Sequence, residues 1–426
     1  MPTSILIRGG RVIDPVSRRD ARGDLYLVDG RIAERPAPLP AGTRTISAAG
    51  RVVVPALIDL HVHLREPGLE AAETIASGTR AAAAGGFGAV VAMPNTQPPI
   101  DTPERLREEI ASAVAAGFCD VWPSACLTRG RSGAELAPLA ALAAAGAAAF
   151  TDDGTTVMSD ALMRRAMAEA ARLGRTVMDH AQDHDAEQRG VMHEGTASRR
   201  LGLPGIPTAA ETRIVERDIR LARETGCTLH IQHISSREGA ERVRRARAEG
   251  LRVTAEVTPH HLALCDEDLA GPDANFKMNP PLRAAADREA LLAAVLDGTL
   301  TCFATDHAPH TAEAKARGML HAPFGIVGLE TAVGVTYTLL VKSGRMTIER
   351  WLRAWTLHPA AVLGREPPSL APGQPANVTI LDLDSPWTVN PARFVSRSHN
   401  TPFSGRVLTG RSVCTIYGGN VVFEGE

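Results

Sequence analysis

The stretch that decides the fold is VVVPALIDLHVHLREPG, residues 52–68, in which an apolar run leads into two histidines and an arginine. Side chains alternate between the two faces of a strand, so His61 and His63 should point the same way at its end. Two neighbouring imidazoles can chelate a divalent metal, and Arg65 is near enough in sequence to hold an anion beside them. The stretch therefore predicts a metal site at the carboxyl end of a strand.

Composition limits the kinds of partner that this chain can have. It has 426 residues, 44% hydrophobic and 4% aromatic, with a net charge of −2 at pH 7. This length fits a barrel with a smaller domain better than one ordinary domain. The balanced charge and scarce aromatic residues argue against nucleic acid or an anionic membrane as a partner. No apolar run reaches the roughly 18 residues of a membrane span, so we expect a cytoplasmic protein that acts on a small molecule.

Cysteines and lysines are sparse, and both patterns are informative. The six cysteines include no Cys-x-x-Cys pair, which argues against a disulfide framework or a structural zinc knuckle, so we expect reduced core residues. The only lysines are Lys277, Lys315 and Lys342. Chemistry that needs a lysine in the first half of the chain is therefore excluded.

The two ends of the chain share a β-rich texture that differs from the middle. Short strand-like runs separated by turn residues occupy positions 4–54 and recur after the Pro-rich segment 366–373. We therefore expect a small β-sandwich domain built from residues 1–53 and 367–426, with a catalytic domain at 54–366 between them.

The middle of the chain alternates between strand-like and helix-like segments. Thr102 and Pro103 predict the start of a helix, and Gly85 and Gly146 predict helix ends. The repeated βα units predict a TIM-like (β/α)8 barrel of the α/β class. The eight predicted strands are 53–61, 89–93, 120–127, 147–151, 176–180, 228–233, 252–257 and 300–305.

Candidate metal ligands follow several of these strands. Asp153 comes after the fourth strand, His180 ends the fifth, His233 ends the sixth and Asp306 follows the eighth. A lone histidine is usually a core or surface group. These residues, however, share with the first-strand histidines the barrel face where active sites form, so a joint metal site is favoured.

Taken together, these motifs resemble the amidohydrolase superfamily and, in detail, the bacterial type I dihydroorotases. The resemblance covers essentially the whole chain, and several motifs are specific in combination. They are HVHLREPG at 61–68, MPNT at 93–96, TDDG at 151–154, NPPLR at 279–283, TDHAPH at 305–310 and PFG at 323–325.

The resemblance implies a metallo-dependent hydrolase barrel with two zinc ions per subunit, one ion being the alternative, and manganese or cobalt as substitutes. The implied ligands are His61, His63 and Asp306 for one ion, His180 and His233 for the other, and Asp153 as the bridge between them.

The bridging group separates this chain from other amidohydrolases. Many of them bridge the metals with a carboxylated lysine on the fourth strand, but no lysine precedes Lys277 here. An aspartate must therefore replace it, which counts against hydantoinases and allantoinases. Asp152 competes with Asp153 for this role, and since adjacent side chains point to opposite faces, only one should reach the metals.

The resemblance also implies an activity, the reversible closure of N-carbamoyl-L-aspartate to L-dihydroorotate in de novo pyrimidine biosynthesis. A metal-bridging hydroxide would attack the ring amide, with Asp306 as general base and then acid. A structural role remains open for Arg65, as a rim salt bridge, and for Asn279, in an Asn-Pro turn. The implied substrate contacts are His63, Arg65, Asn95, Asn279, His310, Phe324 and Gly325.

Two other interpretations remain. One is a different cyclic amidase, such as an allantoinase or a dihydropyrimidinase-like enzyme; the other is an inactive scaffold that binds aspartate transcarbamoylase. An active enzyme with that same partner is also an option, and a homodimer is expected from base rates. We expect no metal contact from the remaining histidines, which are His184, His193, His230, His260, His261, His307, His321, His358 and His399.

Overall fold

The computed structural model describes residues 4–36, 38–187 and 189–425. Its strands form one mixed sheet from both ends of the chain, one parallel barrel from the middle and a separate two-stranded parallel sheet, β11-β12. The strands are β1 Ser4–Asp14, β2 Arg19–Val28, β3 Arg31–Ala33, β4 Arg44–Ser47, β5 Val52–Pro55, β6 Leu57–Val62, β7 Phe87–Ala92, β8 Asp120–Val121, β9 Ala149–Phe150, β10 Thr176–Asp179, β11 Met192–His193, β12 Gly205–Ile206, β13 Leu229–Ile231, β14 Val253–Val257, β15 Cys302–Phe303, β16 Val378–Thr388, β17 Val407–Tyr417 and β18 Asn420–Glu424.

Helices alternate with the barrel strands and cover the outside of the barrel. A π-helical turn, Tyr337–Lys342, continues the thirteenth of them. The helices are α1 Ile75–Gly85, α2 Pro103–Ala116, α3 Leu139–Ala145, α4 Asp160–Arg172, α5 His184–Glu187, α6 Thr196–Leu201, α7 Thr208–Thr225, α8 Arg237–Ala248, α9 Pro259–Ala263, α10 Ala285–Asp297, α11 Ala312–Lys315, α12 Gly318–His321, α13 Ala332–Thr336, α14 Ile348–Trp355 and α15 Leu357–Val362.

The barrel closes through two runs of parallel strands. One run is β6-β7-β8, and the other is β9-β10-β13-β14-β15. Ala125 pairs with Phe150 to join β8 to β9, and Val62 pairs with His307 to close the ring between β6 and β15. The predicted (β/α)8 barrel is thus confirmed, and the carboxyl ends of all eight strands meet at one rim.

The small β domain draws on both termini, as predicted. Its sheet runs β18-β17-β16-β5-β1-β2-β3, with β4 also paired to β1. The predicted strand 53–61 proves to be two strands, because β5 pairs with β16 in the small sheet whereas β6 belongs to the barrel. Pro55, which lacks an N–H donor, ends β5, so the small sheet extends past residue 53, the predicted end of the domain's N-terminal part.

Helix caps agree with the sequence at two of three positions. Thr102 caps α2 by accepting from the Arg105 N–H, and Pro103 occupies its first turn. Gly146 ends α3 with φ 114°. The prediction for Gly85 is wrong by one residue, since the left-handed cap is Gly86, with φ 92°. Gly85 is needed inside the helix because a Cβ there would collide with the Leu329 carbonyl oxygen.

The barrel core contains an aromatic cluster at the contact between α14 and the strands. Trp355 is fully buried, and its ring centroid lies 5.3 Å from that of Phe87 and 5.3 Å from that of Phe303. All six cysteines are buried and unpaired, as expected. Within the described ranges, we find no helix with the length and apolarity needed to cross a membrane.

We expect Trp355→Ala to lower the free energy of unfolding by about 3–5 kcal/mol, because it leaves a large cavity between α14 and the barrel. Urea denaturation followed by circular dichroism measures the change. Val114→Ala is the control, since Val114 is 76% exposed. Equal midpoints for the two variants would contradict this account of the core.

Candidate metal centre

Four imidazoles surround the Asp153 carboxylate at the barrel rim. Asp153 Oδ1 lies 3.2 Å from His61 Nε2, 3.7 Å from His180 Nδ1 and 4.0 Å from His233 Nε2. Its Oδ2 lies 3.7 Å from His63 Nε2. All five side chains are buried, and each histidine comes from β6, β10 or β13 or the residues directly after them.

Asp306 adds a second carboxylate to this cluster. Its Oδ1 lies 3.0 Å from His63 Nε2 and 3.5 Å from His61 Nε2. The cluster contains two overlapping sets of potential ligand atoms, and the atoms of each set lie within 4.8 Å of one another. One set is His61, His63 and Asp306, and the other is His61, Asp153 and His233. All six predicted ligands therefore lie together, with His180 reaching Asp153 through its Nδ1.

The residues present fit a divalent cation. His61 Nε2 and Asp153 Oδ1 are buried, and neither has a hydrogen-bond partner among the described residues. Buried polar atoms are rarely left unpaired, so two of them facing each other indicate a bound group between them. The mixture of imidazole nitrogens and carboxylate oxygens suits zinc.

The pKa shifts in the cluster also favour a bound cation. Burial favours neutral His61, but Asp153 and Asp306 outweigh it and hold the His61 pKa well above its usual value. Burial likewise opposes ionised Asp153, yet His61 and His180 keep its pKa well below normal. Burial lowers the pKa of His63 and His233, which keeps them neutral. The two carboxylates thus demand a positive charge that a metal can supply by displacing a proton.

Glu256 in β14 orients His61, and sequence reasoning missed it. Its Oε1 accepts a hydrogen bond from His61 Nδ1 at 2.8 Å, and its Oε2 accepts one from His230 Nε2 at 3.1 Å. Burial raises the pKa of Glu256, but these histidines overcome it and bring the pKa to about 2. The ionised carboxylate fixes the His61 tautomer and directs Nε2 into the cluster. Its only sequence signal is an acidic residue inside a predicted barrel strand.

Asp152 does not face the histidines. Its Oδ1 accepts hydrogen bonds from the N–H groups of Leu127, at 2.9 Å, and Thr128, at 3.1 Å, and its Oδ2 accepts from the Thr128 hydroxyl. Asp152 therefore anchors the loop after the third barrel strand, and Asp153 is the residue that faces the cluster.

Arg65 is a buried cation without a carboxylate partner among the described residues. It is only 8% exposed, and burial lowers its pKa to about 10. Its Nε donates to the Pro309 carbonyl at 3.1 Å, and its Nη2 lies 3.3 Å from His310 Nε2. His310 Nε2 also lies 2.7 Å from the Phe324 carbonyl oxygen. A guanidinium held in this way beside a metal site is suited to bind an anionic group.

Asn95 and Asn279 touch the histidine cluster directly. Asn95 Oδ1 accepts from His63 Nδ1 at 2.9 Å, while its Nδ2 donates to Asp153 at 3.2 Å. Asn279 Nδ2 lies 3.3 Å from His180 Nε2, and its Oδ1 is buried without a hydrogen-bond partner among the described residues.

Arg131 also contacts the cluster, because its Nη2 donates to the Asp153 carbonyl at 2.6 Å. Sequence reasoning missed this residue because no motif surrounds it.

We expect Glu256→Gln to weaken metal binding about 10–100-fold, since the neutral amide no longer fixes the His61 tautomer. Competition with a chromogenic chelator measures the affinity without reference to activity. The control is Glu104→Gln, in an exposed residue of α2. Unchanged metal affinity in Glu256→Gln would refute the role given to this carboxylate.

Comparison with known proteins places this arrangement in a family. A dihydroorotase from Pelotomaculum thermopropionicum is 49% identical over 421 residues, which cover 99% of this chain and 98% of the relative. A dihydroorotase from Bacillus caldolyticus is 49% identical over 91% of each chain. The family model described as dihydro-orotase-like matches residues 50–239.

Solved structures show the same architecture. An L-hydantoinase (dihydropyrimidinase) from Arthrobacter aurescens has a TM-score of 0.87 at 25% identity, covering 100% of this chain and 97% of that one. A dihydropyrimidinase from Brevibacillus agri has a TM-score of 0.84 at 21% identity, covering 100% and 95%, and shows likeness of fold alone. The sequence identity of 49% to the two dihydroorotases, over 91–99% of this chain, is much higher than the 25% identity to the hydantoinase. The chain therefore belongs to the dihydroorotase family.

Proposed function

We propose that this enzyme catalyses the reversible cyclisation of N-carbamoyl-L-aspartate to L-dihydroorotate in de novo pyrimidine biosynthesis. The observation that carries the proposal is the buried, carboxylate-free Arg65 guanidinium beside a cluster of four histidines and two aspartates. A cyclic amide that bears a carboxylate needs the guanidinium to bind the carboxylate and the histidine–aspartate cluster to act on the amide. Membership of the dihydroorotase family supports it.

The cofactor that we propose is zinc, two ions per subunit. His61, His63 and Asp306 would hold one ion, and His180 and His233 the other, with Asp153 between them. Zinc supplies Lewis-acid polarisation of the amide oxygen and a lowered pKa for attacking water. The buried and unpaired His61 Nε2 and Asp153 Oδ1 support this assignment.

Asp306 is the proposed general base and acid. Its carboxylate lies at the rim beside His63 Nε2, at 3.0 Å, and so within reach of groups that bind over the cluster. In hydrolysis it would accept a proton from the attacking water and deliver it to the leaving ring nitrogen. In cyclisation it would take that proton from the ureido nitrogen. Its φ of 48° is an uncommon backbone conformation of the kind that often occurs at functional sites.

The proposed substrate contacts lie around this carboxylate. Arg65 and His310 would hold the substrate carboxylate, together with the Asn95 N–H that is not used by Asp153. Asn279 Oδ1, which lacks a partner among the described residues, and the Phe324 N–H would recognise the ring amide edges, and Gly325 would line the pocket beside them. His63 would contribute both as a ligand and as a wall of this pocket.

The sequence and the site oppose the other interpretations. Hydantoinases share the fold, but this chain has no lysine before Lys277 that could be carboxylated on the fourth barrel strand. An inactive scaffold is opposed by the presence of all six candidate ligands in one cluster. A cytoplasmic location, a homodimer and aspartate transcarbamoylase as a partner stay predictions.

We expect Asp306→Asn to reduce dihydroorotate hydrolysis about 10²–10⁴-fold, because the amide cannot carry the proton. Hydrolysis by the zinc-supplemented protein is followed by the decrease in ultraviolet absorbance of dihydroorotate, and the bound metal is counted in parallel. Asp20→Asn, in the exposed ion pair with Arg11, is the control. Activity near that of the unmodified protein would exclude Asp306 as the proton carrier.

We expect Arg65→Met to raise the KM for dihydroorotate about 30–100-fold, since a charge-assisted hydrogen-bonded contact to the carboxylate is lost. The ratio of kcat/KM for dihydroorotate to that for dihydrouracil, which lacks the carboxylate, should fall by a similar factor. Arg107→Met, at an exposed position of α2, serves as the control. An unchanged ratio would show that Arg65 does not bind the carboxylate.

A further inference from the structure

We propose that Lys315 and Asn400 form a clamp behind the substrate pocket and act as positioning residues for its contacts. The two side chains fasten three segments, 277–279, 308–310 and 323–327, to one another. These segments carry Asn279, His310, Phe324 and Gly325, so the inference rests on the proposed function. Neither clamp residue is assigned to the metal cluster or to direct contact with substrate.

Lys315, at the end of α11, is a buried lysine that binds only main-chain oxygens, and burial lowers its pKa to about 7. Its Nζ donates to the carbonyls of Lys277 at 3.2 Å, Pro323 at 3.1 Å and Gly325 at 2.9 Å. The residue is 7% exposed, and none of the described carboxylates forms an ion pair with it. An ammonium has three donors, so all three are used, and their tetrahedral geometry fixes the relative positions of two segments.

Asn400 completes the clamp from the C-terminal part of the chain. Its Nδ2 donates to the carbonyls of Ala308 at 3.2 Å and Gly325 at 3.0 Å, and its Oδ1 accepts from the His310 N–H at 3.1 Å. The Val327 N–H donates to the Asn400 carbonyl at 2.9 Å. A side chain from beyond the barrel thus sets the position of His310 against the 323–327 segment.

The two halves of the clamp meet at Gly325. Its carbonyl accepts from both Lys315 and Asn400, and its N–H donates to the Lys277 carbonyl at 2.9 Å. Its φ is 130°, and a Cβ at this position would lie only 2.6 Å from Ala308 Cβ, so there is no space for a side chain. The loop therefore approaches the 308–310 segment as closely as its backbone allows. It is held there by the two side-chain donors and by the Ala308 N–H, which donates to the Ile326 carbonyl at 2.8 Å.

The consequence is a pocket whose shape is set by these hydrogen bonds in addition to its contacts with the histidine cluster. Loss of the Lys315 donor removes the hydrogen bond to the Pro323 carbonyl, and loss of the Asn400 donor removes the one to the Ala308 carbonyl. Either loss lets the 323–327 segment move relative to His310. Substrate binding should then weaken while the metal cluster and its chemistry persist. A residue that served only global stability would not separate KM from kcat in this way.

The test compares Lys315→Met with Lys342→Met, which changes a lysine whose Nζ hydrogen-bonds Thr409 in the small sheet. We expect Lys315→Met to raise the KM for dihydroorotate about tenfold, which corresponds to the loss of one hydrogen bond between the displaced pocket and the substrate, with kcat and bound zinc nearly unchanged. Hydrogen exchange without substrate should be faster in peptides spanning 308–310 and 323–327. The Lys342→Met control should show neither effect.

Asn400→Asp probes the other half of the clamp, because it removes both donors at nearly constant volume. Asn390→Asp is its control, since an Asp there keeps the acceptor for the Ala392 N–H. If Lys315→Met does not fold, Asn400→Asp decides by the same measurements.

An unchanged KM, or a raised KM without faster hydrogen exchange, would overturn the proposal. Wild-type protein without dihydroorotate turnover would refute the proposed function instead, and the substrate-free exchange data would then decide on the clamp alone.

Discussion

The candidate metal centre depends on the placement of His61 between two carboxylates. Glu256 accepts from Nδ1 at 2.8 Å, and Asp153 lies 3.2 Å from Nε2. Because one ring nitrogen is held by the ionised Glu256, the other must point at the remaining candidate ligands. Asp306 adds further negative charge within the same buried volume. Such a concentration of charge is stable only with a proton or a metal ion inside it, and this requirement gives the site its chemistry.

The barrel supports this concentration of charge by closing rigidly just below it. Asp59 in β6 accepts from the Thr305 N–H at 3.0 Å and the Thr305 hydroxyl at 2.5 Å, which ties the first strand to the last. Burial raises the pKa of Asp59 to about 7, against the opposing effect of these hydrogen bonds. Immediately above this tie the regular backbone ends, and Arg65, His233 and Asp306 all have positive φ values. The chain leaves strand geometry where side chains must be aimed at one point.

Much of the site could be predicted from the sequence because its ligands follow recognisable strands. The six predicted ligands lie in one cluster, since strand ends of a parallel barrel share a rim. Glu256 and Arg131 could not be predicted, because their roles depend on strands and loops that are distant in sequence. The error at Gly85 has the same origin: only the contact with Leu329 shows why the helix extends one residue further.

The sequence by itself determined the alternation of strands and helices that predicts the barrel, the histidine pair at positions 61 and 63 and the absence of an early lysine. With the family resemblance, it also implied an aspartate at the cluster. These properties can be read from the sequence because periodicity, spacing and residue types do not depend on which distant residues meet in space. Only the tertiary structure decided that Asp153 rather than Asp152 faces the histidines, that Glu256 supports His61, and that Asn400 contacts His310. Those pairings join residues separated by up to 195 positions, and barrel closure is the physical event that brings them into hydrogen-bonding distance.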